Sequence, residues 1–131
     1  MTLTELYSNE YARVETNAEN HFIQVTWLQH ASHTALREVL EKALQYAKPA
    51  KLNRWLFDMR KIYFVTSADQ VWTEKRYFPS FDPALQHHVA CVLSLLNAEM
   101  IPLAQDRVLS DNMEMQIFLD IEMAHSWLLP H

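Results

Sequence analysis

A chain of 131 residues, 50% hydrophobic and 21% charged, has the composition of a folded domain and not of a disordered segment. Its formal charge of −5 argues against a dedicated nucleic-acid binder, and its single cysteine, Cys91, excludes an intramolecular disulfide. It has no glycine, so phosphate loops, dinucleotide fingerprints and nucleophile elbows in their usual forms are excluded, because each needs backbone at positive φ or pressed close to a ligand.

The opening MTLTELYSNEYARVETNAEN lacks the basic start and apolar stretch of a secretory leader. No run approaches the ~20 apolar residues that span a bilayer. The expectation is a cytoplasmic protein without integral membrane insertion. YARVE and FIQVTWL alternate in polarity, and TNAEN between them predicts a hairpin. SHTALREVLEKALQYA then places Leu36, Val39, Leu40, Ala43, Leu44 and Ala47 at helical spacing, with Pro49 closing the helix. RWLFDM is the next strand, followed by a helix from Ser67 to about Phe78 that stops near Pro79. HVACVLSLL is apolar at odd and even positions, the pattern of a central strand. A helix is expected over Ala98–Asp111, with Met100, Ile101, Ala104, Val108 and Leu109 inward. MQIFL is the last strand, and DIEMAHSWLL a closing helix with Asp120 as N-cap. Without glycine, the turns fall to Asn, Asp and Pro in TNAEN, AKPAK, FDPA and SDN.

The fold class is therefore α/β: one domain over 1–131, order β-β-α-β-α-β-α-β-α, with a mostly parallel sheet and an antiparallel first strand. Ile23, Val25 and Trp27 share one strand face and Gln24 and Thr26 the other; Ala12 and Val14 likewise oppose Tyr11, Arg13 and Glu15. If the helices collect on the apolar face, the second face is left for a partner or ligand to cover.

The segment WLFDMRKIYFVTSADQVW concentrates the candidate sites. Ser67 and Gln70 fit a capping box, Thr66 is an alternative cap one residue earlier, and Asp69 suits the positive helix end. A phosphate at Thr66 or Ser67 is the competing use of the same corner. Asp58 ends its strand at the carboxyl edge, where ligands of open α/β sheets sit, or else pairs with Arg60 or Lys61. Trp72, Tyr77 and Phe78, interleaved with Lys75 and Arg76, are a candidate surface for a partner or a membrane, or else part of the core. Trp55, Phe57, Met59, Tyr63 and Phe64 with Met100, Met113 and Met115 are candidates to line an apolar pocket. No metal site is expected. His30 and His33 straddle a strand end and a helix start, His87 and His88 point to opposite faces, and His87 and Cys91 lie ~13 Å apart along a strand.

These motifs resemble a known family. The strand ending in Asp58, the loop after it and the helix opening at Thr66–Ser67 look like the SpoIIAA-like fold of STAS domains. FLDIEMAHSWLL resembles the closing strand and helix of small bacterial STAS/Sec14-related proteins. The resemblance implies that Thr66 or Ser67 takes the place of a phosphoacceptor modified by a partner kinase, with Asp58 nearby. Ala68-Asp69-Gln70 stands where such proteins carry a small, glycine-containing stretch. The resulting expectation is a non-enzymatic interaction or regulatory module without cofactors, homodimeric and meeting a regulatory protein. The alternative is a carrier for a small apolar, lipid-like ligand. The site residues carried forward are Ser67, Thr66 and Asp58 for phosphate or another anion, and Trp72, Tyr63, Phe64, Tyr77 and Phe78 for a partner or ligand.

Overall fold

A computed structural model describes residues 1–98 and 107–130 of the chain. Seven strands form one mixed sheet: β1 (Thr4–Ser8), β2 (Ala12–Asn17), β3 (Phe22–Trp27), β4 (Arg54–Asp58), β5 (His87–Val92), β6 (Arg107–Ser110) and β7 (Met113–Phe118), in the order β1-β2-β3-β4-β5-β7-β6. The central strands β3, β4, β5 and β7 are parallel, and β1, β2 and β6 pair antiparallel at the edges. Helix α1 (His33–Ala50) joins β3 to β4. Helix α2 (Ser67–Trp72), extended by a π-helical turn (Thr73–Tyr77) and a 3-10 turn (Phe78–Ser80), joins β4 to β5, and α3 (Ile121–Leu128) follows β7.

The chain is α/β, with its element order corrected in two places. Thr4–Ser8 is an additional edge strand, paired with β2 through an irregularity between Glu5 and Tyr7 that blurs its alternation. The C-terminal part of the helix expected over Ala98–Asp111 is instead β6, returning onto β7 through Asp111 and Asn112. Closing so short a hairpin costs little chain entropy, and this outweighs a helical period carried by a few aliphatic residues. Residues 99–106, including Met100, Ile101 and Ala104 of that expected helix, lie outside the described residues. The sheet is thus antiparallel at both edges and not mostly parallel.

Alternation sorts the strands onto two faces. On the main face, Val14, Ile23, Val25, Trp27, Trp55, Phe57, Val89 and Met115 pack beneath the α1 stripe of Leu36, Val39, Leu40, Ala43 and Ala47. On the second face, Phe22, Leu56, Ala90 and Val92 pack against Ala124 and Leu128 of α3. The apolar centre expected to await a partner is therefore already covered by the chain's own last helix. His125 fixes that helix to β3, its Nε2 lying 2.9 Å from the Gln24 Oε1. Toward the β2 edge the same face is polar, with Arg13 and Glu15 paired at 3.0 Å.

A chain without glycine still needs left-handed backbone. His21, His33 and Lys51 provide it, at φ of 52°, 52° and 54°; Lys51 lies in the expected AKPAK turn, His21 just after TNAEN, and His33 at a helix start where no turn was expected. Lys51 ends α1 in a Schellman arrangement: its N–H donates to the Lys48 carbonyl at 3.2 Å and the Leu52 N–H to the Ala47 carbonyl at 3.0 Å. Pro49 sits in this last turn, one residue inside the helix end. A side chain with a Cβ costs ~1–2 kcal/mol in this conformation, and glycine returns ~0.5–1 kcal/mol of that in backbone entropy. Lys51→Gly is expected to stabilise the fold by about 0.5–1 kcal/mol in urea unfolding, and Lys51→Val to destabilise it. Equal midpoints for both variants and the parent would contradict the assignment.

Candidate functional site

The loop after β4 begins with Asp58, a buried carboxylate. Arg60 grips it from both sides: Nε donates to Oδ1 at 2.9 Å, Nη2 to Oδ2 at 2.7 Å, and the Arg60 N–H to Oδ1 at 3.2 Å. That bond holds the guanidinium above its ordinary range despite partial burial. With both oxygens committed, Asp58 is a loop anchor of the kind weighed from the sequence, and among the described residues no hydrogen bond joins it to Thr66 or Ser67.

Neighbouring loops are tied to this one. The Tyr63 N–H donates to His30 Nδ1 at 3.1 Å, and the His30 ring stacks on Tyr63 and contacts Phe64, with centroids 5.3 and 4.6 Å away. From the loop after β5, the Asn97 Nδ2 donates to the carbonyls of Met59 at 2.9 Å and Ile62 at 2.6 Å. Its Oδ1 accepts from the Ser94 N–H at 2.8 Å. The loops following β3, β4 and β5 therefore form one assembly at the carboxyl edge.

Helix α2 starts at Thr66, whose hydroxyl accepts from the Asp69 N–H at 3.1 Å. The cap is thus the alternative one residue before Ser67, and Ser67 is exposed. Asp69 has a further role that the sequence did not reveal. It is 0% exposed, accepts from the His33 N–H at 2.8 Å and from Arg37 Nε at 3.1 Å, and so caps α1, whose own Ser32 makes no side-chain cap. Burial alone would raise the Asp69 pKa. The His33 N–H, the Thr66 hydroxyl and Arg37 outweigh burial and hold it below the usual carboxylate range.

The aromatic candidates separate. Tyr77 and Phe78 are core residues and not a partner surface. The Tyr77 hydroxyl donates to the Leu40 carbonyl at 2.8 Å, and burial pushes its phenol well above the ordinary range. Trp72 is half-buried between Arg37, 5.2 Å from its ring centroid, and Tyr77, stacked at 5.4 Å. Tyr63 and Phe64 are exposed. Leu95 and Leu96, read as strand, lie beyond the end of β5 and are 84% and 94% exposed.

Beneath α2 lies a small apolar cavity of about 40 Å³, lined by Trp27, Leu36, Phe57, Met59, Tyr77 and Cys91 among others. An engineered apolar cavity that binds benzene measures ~150 Å³, several times this one, which leaves no room for a lipid chain. Of the other pocket candidates, Trp55, Met113 and Met115 are core, Tyr63 and Phe64 face outward, and Met100 lies outside the described residues. His87 is buried with Nε2 2.9 Å from the Asp82 carbonyl, while His88 packs edge-on to Trp127 across the sheet. Among the described residues no three His, Cys, Asp or Glu side chains gather as for a metal, and no helix is long and apolar enough to cross a membrane.

No family model, curated protein or solved structure matches the chain. The corner itself predicts that Asp69→Ala loses about 2 kcal/mol in urea unfolding, since it strands the His33 N–H and the half-exposed Arg37. Ser67→Ala is expected to stay within about 0.5 kcal/mol of the parent. The reverse ranking would show that Ser67, and not Asp69, holds the corner.

Proposed function

We propose that this chain is a cytoplasmic, non-enzymatic interaction module of STAS-like type that pairs with a second copy through the carboxyl edge of its sheet. The observation that carries this is the exposure of Leu28, Tyr63, Phe64, Leu95 and Leu96 on the loops after β3, β4 and β5. Hydrogen bonds from Tyr63 to His30 and from Asn97 to Met59 and Ile62 hold those loops together. Ordered loops that hold large apolar side chains toward water favour an interface, because soluble monomers rarely keep extended apolar patches exposed. A patch that meets its own copy across a two-fold axis closes the assembly as a dimer.

The run β3-α1-β4-α2-β5, with Asp58 at the strand end and a helix reopening at Ser67, supports the family assignment. The commitment of Asp58 to Arg60 and of Thr66 and Asp69 to capping supports a role without catalysis, since the carboxylates of this corner are spent on holding the loop and the helix starts. Ser67 is the exposed hydroxyl of the corner and the position at which modification would meet least obstruction. A lipid carrier is the weaker reading because of the small cavity.

Size-exclusion chromatography with light scattering at tens of micromolar is expected to give twice the chain mass. The double variant Tyr63→Ser/Leu96→Ser should elute as a folded monomer. A parent protein of single-chain mass, or a variant that stays dimeric, would rule out the carboxyl-edge interface.

A further inference from the structure

We infer that the groove between α1 and α2 receives an acidic, amphipathic segment of a partner protein. This rests on the interaction-module reading but uses a surface distinct from the carboxyl edge. Arg37 of α1 and Ser67, Val71, Trp72, Lys75 and Arg76 of α2 and its π-helical extension line the groove. It continues past Trp72 toward Lys48, with Glu41 the one acidic side chain among its described lining residues. Arg37 is neutralised by the buried Asp69, which leaves Lys48, Lys75 and Arg76 against Glu41 in the described lining, on a chain whose net charge is −5. The groove carries the opposite sign to the molecule as a whole, which favours an anionic occupant.

The cations differ in how far they are engaged. Arg37 uses Nε on Asp69 and Nη2 on the Ala68 carbonyl, at 3.1 and 3.3 Å. Lys75 and Arg76 are exposed and have no acidic partner within 4.0 Å among the described residues. They are successive residues at the rim, placed to meet two carboxylates of one bound segment. Val71, 58% exposed, adds an aliphatic contact on the same helix. Val71 is a single apolar contact beside the charges, so the occupant is recognised chiefly by charge complementarity and only secondarily by an apolar anchor.

Other anionic partners fit less well. The Trp72 ring is already engaged by Arg37 and Tyr77, so it does not offer the stacking platform that single-stranded nucleic acid uses. One exposed valine is too little apolar surface to insert into a bilayer, where interfacial binding scales with buried apolar area.

The test is a titration of the ¹⁵N-labelled full chain with a synthetic amphipathic helical peptide bearing Glu on one face and Leu at i and i+4 spacing. Saturable amide shifts are expected at Arg37 and from Ser67 to Arg76, with sub-millimolar affinity that weakens as salt is raised to about 0.5 M. Lys75→Glu/Arg76→Glu should keep the parent spectrum elsewhere, since both side chains are exposed, and bind the peptide about tenfold more weakly. Absence of saturable shifts, shifts confined to other surfaces, or unchanged affinity in the double variant would overturn the proposal. So would groove shifts produced by phosphatidylserine vesicles or an oligothymidylate but not by the peptide. The outcome is separable from the dimer: a monomer that binds the peptide keeps this groove and loses the carboxyl-edge interface, and a dimer that ignores it does the reverse.

Discussion

The Asp69 carboxylate is the point on which the layer above the main sheet face depends. Two helices begin within reach of it, and only one brings its own cap. Ser32 makes no side-chain bond at the start of α1, so the His33 N–H and the positive end of an 18-residue helix are served from α2. Thr66 meanwhile holds the Asp69 backbone. A buried charge without partners would be costly, and three donors together compensate for its desolvation. His33 holds left-handed backbone at the position that presents its N–H to this acceptor, a strain retained where a tertiary bond offsets it.

This commitment separates structure from function along the chain. Residues that look chemical at the strand-to-helix corner (Asp58, Thr66 and Asp69) are occupied in holding it. The second sheet face, which alternation left open, is closed over its apolar centre by α3. Among the outward features of the described residues are the apolar rim at the carboxyl edge and the cationic groove between α1 and α2. Each exists because the corner beneath it is fixed: the loops by His30 and Asn97, the groove by the Arg37–Asp69 pair that sets α2 against α1.

Much of the fold was legible locally. The alternation of β2 and β3, the stripe of α1 and the Asp120 cap, which accepts from the Glu122 N–H at 2.8 Å, all follow from near neighbours in sequence. The apolar run through Val92 to Leu96 marked β5 but not its end, because hydrophobicity continues for residues that face water. Tyr77 and Phe78 shared a helical spacing with Trp72, yet a π-helical turn, in which the Thr73 hydroxyl donates back to the Asp69 carbonyl at 2.7 Å, changes the register between them. Asp69 meets His33 and Arg37 across 36 and 32 residues, and no local pattern encodes such a contact. Arg37 had the spacing of an ordinary solvent-facing helix residue and gained its place in the groove only through that pairing.

Amide hydrogen exchange at His33 tests the clasp most directly. The first N–H groups of a helix normally lack acceptors and exchange freely. Slow exchange at this one amide, matching the interior of α1, is the result that the bond to Asp69 predicts. Exchange as rapid as that of an unstructured peptide would contradict it and remove the basis for treating the corner as structural.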